Sequence, residues 1–230
     1  MRGTKTRLTT VALIAVTLAL PLAAVAEKPP KTTPDGLVLQ PDTKLALVYL
    51  KPGADFRVYD RVALLDCAVA FKKNWQREQN RTNPLAVSKK DMDEIRTNLA
   101  ELFAEVFKEE VEKGGHQLAT SAAEDVLVLR PAIVDLDIAA PEAAEMGRSR
   151  TFATSAGEMT LYMEAYDSSS GELLARVLDR RAGRDWGRMM WQNSATNRTE
   201  AKKIFRGWAT TLRQGLERLK ALPGPVPAAQ

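Results

Sequence analysis

Histidine and cysteine occur once each in this 230-residue chain, as His116 and Cys67. A lone histidine excludes metal sites built from several imidazoles and leaves little for histidine-based catalysis. A lone cysteine excludes an intramolecular disulfide, so in an oxidising compartment the fold must rest on its hydrophobic core alone. Cys67 lies inside an apolar run, where a free thiol acts as a small buried hydrophobe. No G-x-S-x-G motif is present, so Ser121, Ser149 and Ser155 have no nucleophile elbow for His116 to serve. His116 follows Gly115 at the end of an amphipathic stretch, where an imidazole caps free carbonyls. No loop has calcium-binding spacing either. Asp135 and Asp137, two apart on one strand, could hold a hard cation with Glu158, Glu164 or Asp179; a solvated face paired with nearby arginines is the plainer account. We therefore expect no catalytic residue, no metal site and no cofactor.

A large charge of one sign is missing too. Lys and Arg number 33 against 29 Asp and Glu. Three of the basic residues, Arg2, Lys5 and Arg7, lie in the first ten positions with no acid beside them. Val11 to Leu22 is apolar apart from Thr17, and Ala24-Val25-Ala26 places small residues as a signal peptidase requires. The pattern predicts a secretory signal at residues 1–26, cleaved between Ala26 and Glu27. A spanning helix needs about 20 apolar residues, more than this segment offers, and Pro21 interrupts it. Without residues 1–26 the balance is 30 basic against 29 acidic, a net of +1. A broad nucleic-acid-binding field is thereby excluded.

The remaining residues divide into an extended, proline-bearing leader at 27–43, one domain at 44–221 and a proline-rich tail at 222–230 that we expect to be disordered. Lys44 to Leu50 and Arg57 to Phe71 are apolar runs of strand type, separated by Lys51-Pro52-Gly53-Ala54, which suits a type II turn. Lys72 to Asn83 is polar and ends the second run. Ser88, with Asp91 three residues on, reads as a helix N-cap and an acidic capping box. Met92, Ile95, Leu99, Leu102, Phe103, Val106, Phe107 and Val111 then form one apolar stripe, closed by Gly114-Gly115. A short strand near residues 116–120 and a long one at 125–139 follow; Pro131 inside the latter suggests a bulge or an edge position. Residues 140–156 read as a loop.

From 158 to 166 apolar and polar residues alternate. Met159, Leu161, Met163 and Ala165 face one way; Thr160, Tyr162, Glu164 and Tyr166 face the other. Asp167 to Gly171 supplies turn chemistry, and Leu173 to Arg184 returns as the partner strand. Asn197 is the expected cap of a second helix whose stripe runs from Ala201 to Leu219. The expected fold is α+β: a two-layer sandwich of a mainly antiparallel sheet with two amphipathic helices on one face, in the order β-β-α-β-β-β-α.

The segments KPGADFRVYDRVALLD, VLVLRPAIVDLDIAAP and SAGEMTLYMEAYDSSSGELLARVLDRRAGRD, with the capped helix between the first two, resemble the bacterial envelope family catalogued as domain-of-unknown-function 3313. The resemblance spans roughly residues 37–219. It implies an envelope protein without an assigned activity. Members are typically predicted outer-membrane lipoproteins, but here Glu27 stands where the lipid-bearing cysteine would be. The resemblance with that departure implies a periplasmic or secreted protein, not lipid-anchored.

Arg176, Arg180, Arg184 and Arg188, with Trp186 and Trp191, form a basic and aromatic cluster. As a contact surface it would suit an envelope protein or an anionic envelope component, with peripheral membrane association open to it and nucleic acid excluded. A hairpin edge guarded by charge gives the same residues a purely protective role. The expected function is a non-enzymatic exported binding or accessory module; the alternatives are a periplasmic hydrolase with an unrecognised site and a self-associating structural subunit.

Overall fold

One long strand, β6 (Val126–Asp137), organises the molecule. In the computed structural model, which describes residues 28–82, 86–138, 152–153, 157–182, 190–191 and 194–227, it lies inside an open mixed sheet. One edge of β6 pairs antiparallel with β8 (Glu158–Asp167). The other edge receives two short parallel strands, β3 (Arg61–Leu64) and β4 (Ala68–Phe71). The single strand expected over 57–71 is therefore broken. Its start is a 3-10 turn at Phe56–Val58, capped by Asp55, which accepts from the Arg57 N–H at 3.0 Å.

The second break is explained by Pro131. β3 matches residues 126–129 of β6, and β4 matches 132–136. The Leu65 N–H donates to the Leu129 carbonyl at 2.9 Å, so odd-numbered backbone groups of β6 point to this edge. Pro131, which has no N–H to offer, thus faces the interval between the two strands. It is neither at a sheet edge nor at a bulge. The register irregularity lies further on, between Val134 and Asp137, where Asp135 has φ of 52°.

β8 continues through the Asp167–Gly171 turn into β9 (Leu173–Ala182). Asp167 closes this turn by accepting from the Ser169 and Ser170 N–H groups at 3.0 and 2.6 Å. β9 pairs with β2 (Leu47–Leu50), and β2 with β1 (Val38–Leu39); β5 (Gln117–Leu118) lies beside β3. β7 (Phe152–Ala153) and β10 (Met190–Trp191) form a separate two-stranded ladder.

Among the described residues there are three α-helices, not two. The added one, α1 (Trp75–Thr82), occupies the polar stretch after β4. Its only large apolar residue, Trp75, is 1% exposed, stacks on Phe71 with ring centroids 4.3 Å apart, and donates its indole N–H to the Ile138 carbonyl at 2.9 Å. Gln76 and Asn80 tie the helix to the Val87 backbone by polar bonds, so with one buried apolar side chain no apolar periodicity announces it. α2 (Lys89–Lys113) starts at Ser88, and both bonds of the capping box with Asp91 are made. α3 (Ser194–Lys220) begins one turn before the expected cap at Asn197.

α2 and α3 pack on one face of the sheet. Phe103 stacks on Phe107 at 3.9 Å and meets Phe205 edge-on at 5.3 Å. Trp208 is fully buried and donates to Asp179 at 2.7 Å. Beneath them lie Ile133, Met159, Leu161, Met163 and Val177, so β8 turns its apolar alternation toward the helices. Among the described residues no helix is long and apolar enough to cross a membrane.

Two stretches expected outside the domain pack onto it. The leader carries β1, and Leu37 is fully buried. In the tail, Val226 is buried and exchanges backbone bonds of 2.8 Å with Gly53 and Ala54. Gly53 has φ of +80°, as position i+2 of the expected type II turn demands.

Candidate functional site

With both long helices on one face, the outward residues of β8 occupy the other. Register places Glu164 directly between Arg130 of β6 and Arg176 of β9, with Tyr162 and Tyr166 two positions away along its own strand. Cross-strand neighbours and i, i+2 residues share a face by the pleat alone. Glu164 is therefore surrounded by donors. One carboxylate oxygen accepts from the Tyr162 hydroxyl at 2.5 Å and from Arg176 Nε and Nη2 at 3.1 and 2.9 Å. The other accepts from the Tyr166 hydroxyl at 2.6 Å, from Arg130 Nε at 3.1 Å and from Arg130 Nη2. Each guanidinium also covers a phenol ring: Arg130 lies 5.2 Å over Tyr166 and Arg176 5.9 Å over Tyr162.

Glu164 is 2% exposed although neither α2 nor α3 covers this side. Its own partners bury it. Burial alone would raise its pKa, but the bonds from Tyr162, Tyr166, Arg130 and Arg176 outweigh that and hold it at about 2. The same contacts act on the donors. Burial, and then the bond to Glu164, push Tyr166 up to about 12 and Tyr162 in the same direction. Burial works against the charge on Arg176, yet Asp35 and Glu164 raise its pKa overall. A carboxylate with one arginine on each oxygen, each donating through two nitrogens, is a rigid, charge-assisted array.

The array faces outward unevenly. The leader crosses the β2–β9 side: Asp35 bonds Arg176 at 2.8 Å, and the buried Tyr49 donates to the Pro30 carbonyl at 3.1 Å. On the β6–β8 side, Arg130 leaves 58% of its side chain exposed. Arg180, next along β9 on the same face, is 67% exposed and paired with Glu158.

Of the residues expected to form a contact surface, Arg176 and Arg180 lie together on this face. Arg184, Trp186 and Arg188 lie outside the described residues, as do Ala26 and Glu27, while Trp191 belongs to β10. Arg130, Tyr162 and Tyr166 join the surface through strand register. The alternation of β8 marks the two tyrosines and Glu164 as one face, but nothing local links them to Arg130, 34 positions earlier.

The acidic residues considered for a cation do not converge. Asp179 points to the helix side, accepting from Trp208, from the Ala46 N–H at 2.8 Å and from Arg181 at 2.7 Å. Asp137 pairs with Lys72 at 2.7 Å. Among the described residues no three His, Cys, Asp or Glu side chains are grouped to hold a metal ion. His116 is buried, with Nδ1 3.4 Å from the Asp60 carbonyl. Cys67 is buried too, and burial pushes its thiol up to about 12.

A family model described as "Protein of unknown function (DUF3313)" matches residues 37–212. No curated protein matches the chain. Among solved structures, a PelC dodecamer from Paraburkholderia phytofirmans aligns at 15% identity over 72% of this chain and 96% of that one, with a TM-score of 0.38. A minor lipoprotein from Acinetobacter baumannii aligns at 14% identity over 73% and 98%, TM-score 0.30. A DUF4136 family protein from Bacteroides thetaiotaomicron aligns at 12% identity over 78% and 96%, TM-score 0.35.

Proposed function

The chain belongs to the DUF3313 family of proteins of unknown function, and from that premise we propose that it is a non-enzymatic, exported binding module of the bacterial cell envelope. Its contact surface is the open sheet face around Arg130, Tyr162, Tyr166, Arg176 and Arg180, to which the sequence cluster adds Arg184, Trp186, Arg188 and Trp191. Its partner is an envelope protein with an acidic surface.

The observation that carries this reading is the buried carboxylate of Glu164. It fixes two arginines and two tyrosines, each by a direct bond, on a face that neither long helix covers. Arginine and tyrosine are the residue types that most often anchor protein interfaces. Side chains already held in place lose little entropy on binding. Arg130 and Arg180 extend charged tips beyond the array and meet an acidic partner first. Export rests on the signal pattern of residues 1–26, with the mature chain starting at Glu27 and working in the periplasm or outside the cell.

Capture from envelope extract tests the contact surface. Immobilised wild type is compared with the Arg130→Glu/Arg180→Glu variant, each checked for its fold by circular dichroism. The wild type retains a partner that salt elutes, and the variant loses it. An identical set of captured proteins from both would overturn the assignment.

A further inference from the structure

On the other side of the sheet, the apolar core is not continuous. One cluster gathers around Phe103, Phe205 and Trp208, the other around Phe56, Leu127 and Ala175. Between them lies a cavity of about 450 Å³, lined predominantly by apolar side chains. Its floor includes Leu129, Met163 and Ala165, and its roof is the second half of α3 through Ala209, Leu212 and Leu216. The opening has a cause in the sequence. Ala165 and Ala209 are small, Gly215 has no side chain, and the leucines of α3 are left only partly buried. A cavity with such walls takes apolar guests.

The mouth is polar. It runs along residues 40–44 and the exposed edge of α3. Arg213 and Glu110 neutralise each other there, at 3.2 Å. Lys44 reaches only the amide oxygen of Gln214, at 3.3 Å, and Arg218 lies one helical turn beyond Gln214. Among the described residues neither Lys44 nor Arg218 has a carboxylate partner, and Asp42 is the one remaining acid of the lining. Two cations against one carboxylate leave the rim positive.

We propose that this cavity binds a single-chain anionic amphiphile, its alkyl chain between the sheet and α3 and its headgroup at Lys44 and Arg218. The volume fits: at ~30 Å³ for each water-sized group, 450 Å³ holds about 15 chain atoms. The site is separate from the proposed contact surface, on the opposite face of the sheet.

The test is fluorescence titration of the mature chain with 11-(dansylamino)undecanoic acid, followed by displacement with saturated fatty acids of 8 to 16 carbons (~15 being the capacity estimated above) and with the alcohols of equal length. Affinity should rise about fourfold for each added methylene until the cavity is full. Acids should displace the probe about tenfold more tightly than alcohols. In Lys44→Glu/Arg218→Glu, two exposed changes, the acids should lose that advantage while the alcohols keep their affinity. Leu216→Trp, which fills the cavity, should weaken both; if it does not fold, the paired charge variant still decides. No saturable binding would overturn the site. Equal affinity of acids and alcohols for the wild type would overturn the headgroup assignment.

Discussion

Replacing Glu164 by Gln removes the charge that the array is built around while keeping the side chain's size. Arg130 and Arg176 would then face a neutral amide, and one of its two groups would present N–H donors to other donors. The magnitude follows from the carboxylate's affinity for its proton. Its pKa of about 2, against an ordinary 4.5, corresponds to about 3 kcal/mol at roughly 1.4 kcal/mol per unit. Glu164 is buried, so solvent screens little of this. Breaking a buried ion pair from one side typically costs about 3–5 kcal/mol, and the two figures agree. Because the folded-state pKa lies below the unfolded one, the contribution is complete above pH 4.5 and disappears as pH falls toward 2. Urea unfolding at pH 7 should show a midpoint lowered by about 1 to 1.5 M, taking an m-value of about 2–3 kcal/mol/M. At pH 3 the gap between wild type and Glu164→Gln should be clearly smaller. A loss below about 1 kcal/mol at pH 7, or one that does not change with pH, would show that the Glu164 charge does not hold this face together.

Three further outcomes are expected. Trp75→Phe leaves the Ile138 carbonyl without its indole donor and vacates part of a filled site, costing about 1–3 kcal/mol in the same urea assay. Ser88→Ala removes the side-chain half of the capping box on α2, with a loss of about 1 kcal/mol and a small drop in helical signal by circular dichroism. A thiol reagent at pH 8 should label Cys67 only at the rate of unfolding, since the thiol is buried and its pKa is about 12; rapid labelling of the folded chain would contradict its placement.

What the sequence discloses follows from the range of each interaction. The capping box of α2, the type II turn at Gly53 and the β8–β9 hairpin depend on residues a few positions apart, and each is formed as read. α1 has Trp75 as its one buried apolar side chain, its other ties being the polar bonds of Gln76 and Asn80 to the Val87 backbone, so no periodic signal exists to find it. The break between β3 and β4 depends on Pro131, more than 60 residues away, which only the paired sheet brings alongside. The functional face divides the same way. Arg176 and Arg180 stand out as a charged cluster on one strand, and the alternation of β8 sets Tyr162, Glu164 and Tyr166 on one side. That Glu164 is buried on the uncovered face, and that Arg130 completes its shell, depends on the β6–β8 register, which no local pattern sets.

In the proposed function the Arg and Tyr face of the sheet meets a partner. Site-specific photocrosslinking in living cells tests it most directly, with benzoylphenylalanine placed at Thr160 or Val134 on that face, or at Glu101 or Glu112 on the solvated side of α2. The sheet positions should give a discrete higher-mass adduct, lost when Arg130→Glu/Arg180→Glu is added, and the helix positions none. Adducts from α2 alone, or sheet-face adducts that survive the charge reversal, would contradict it.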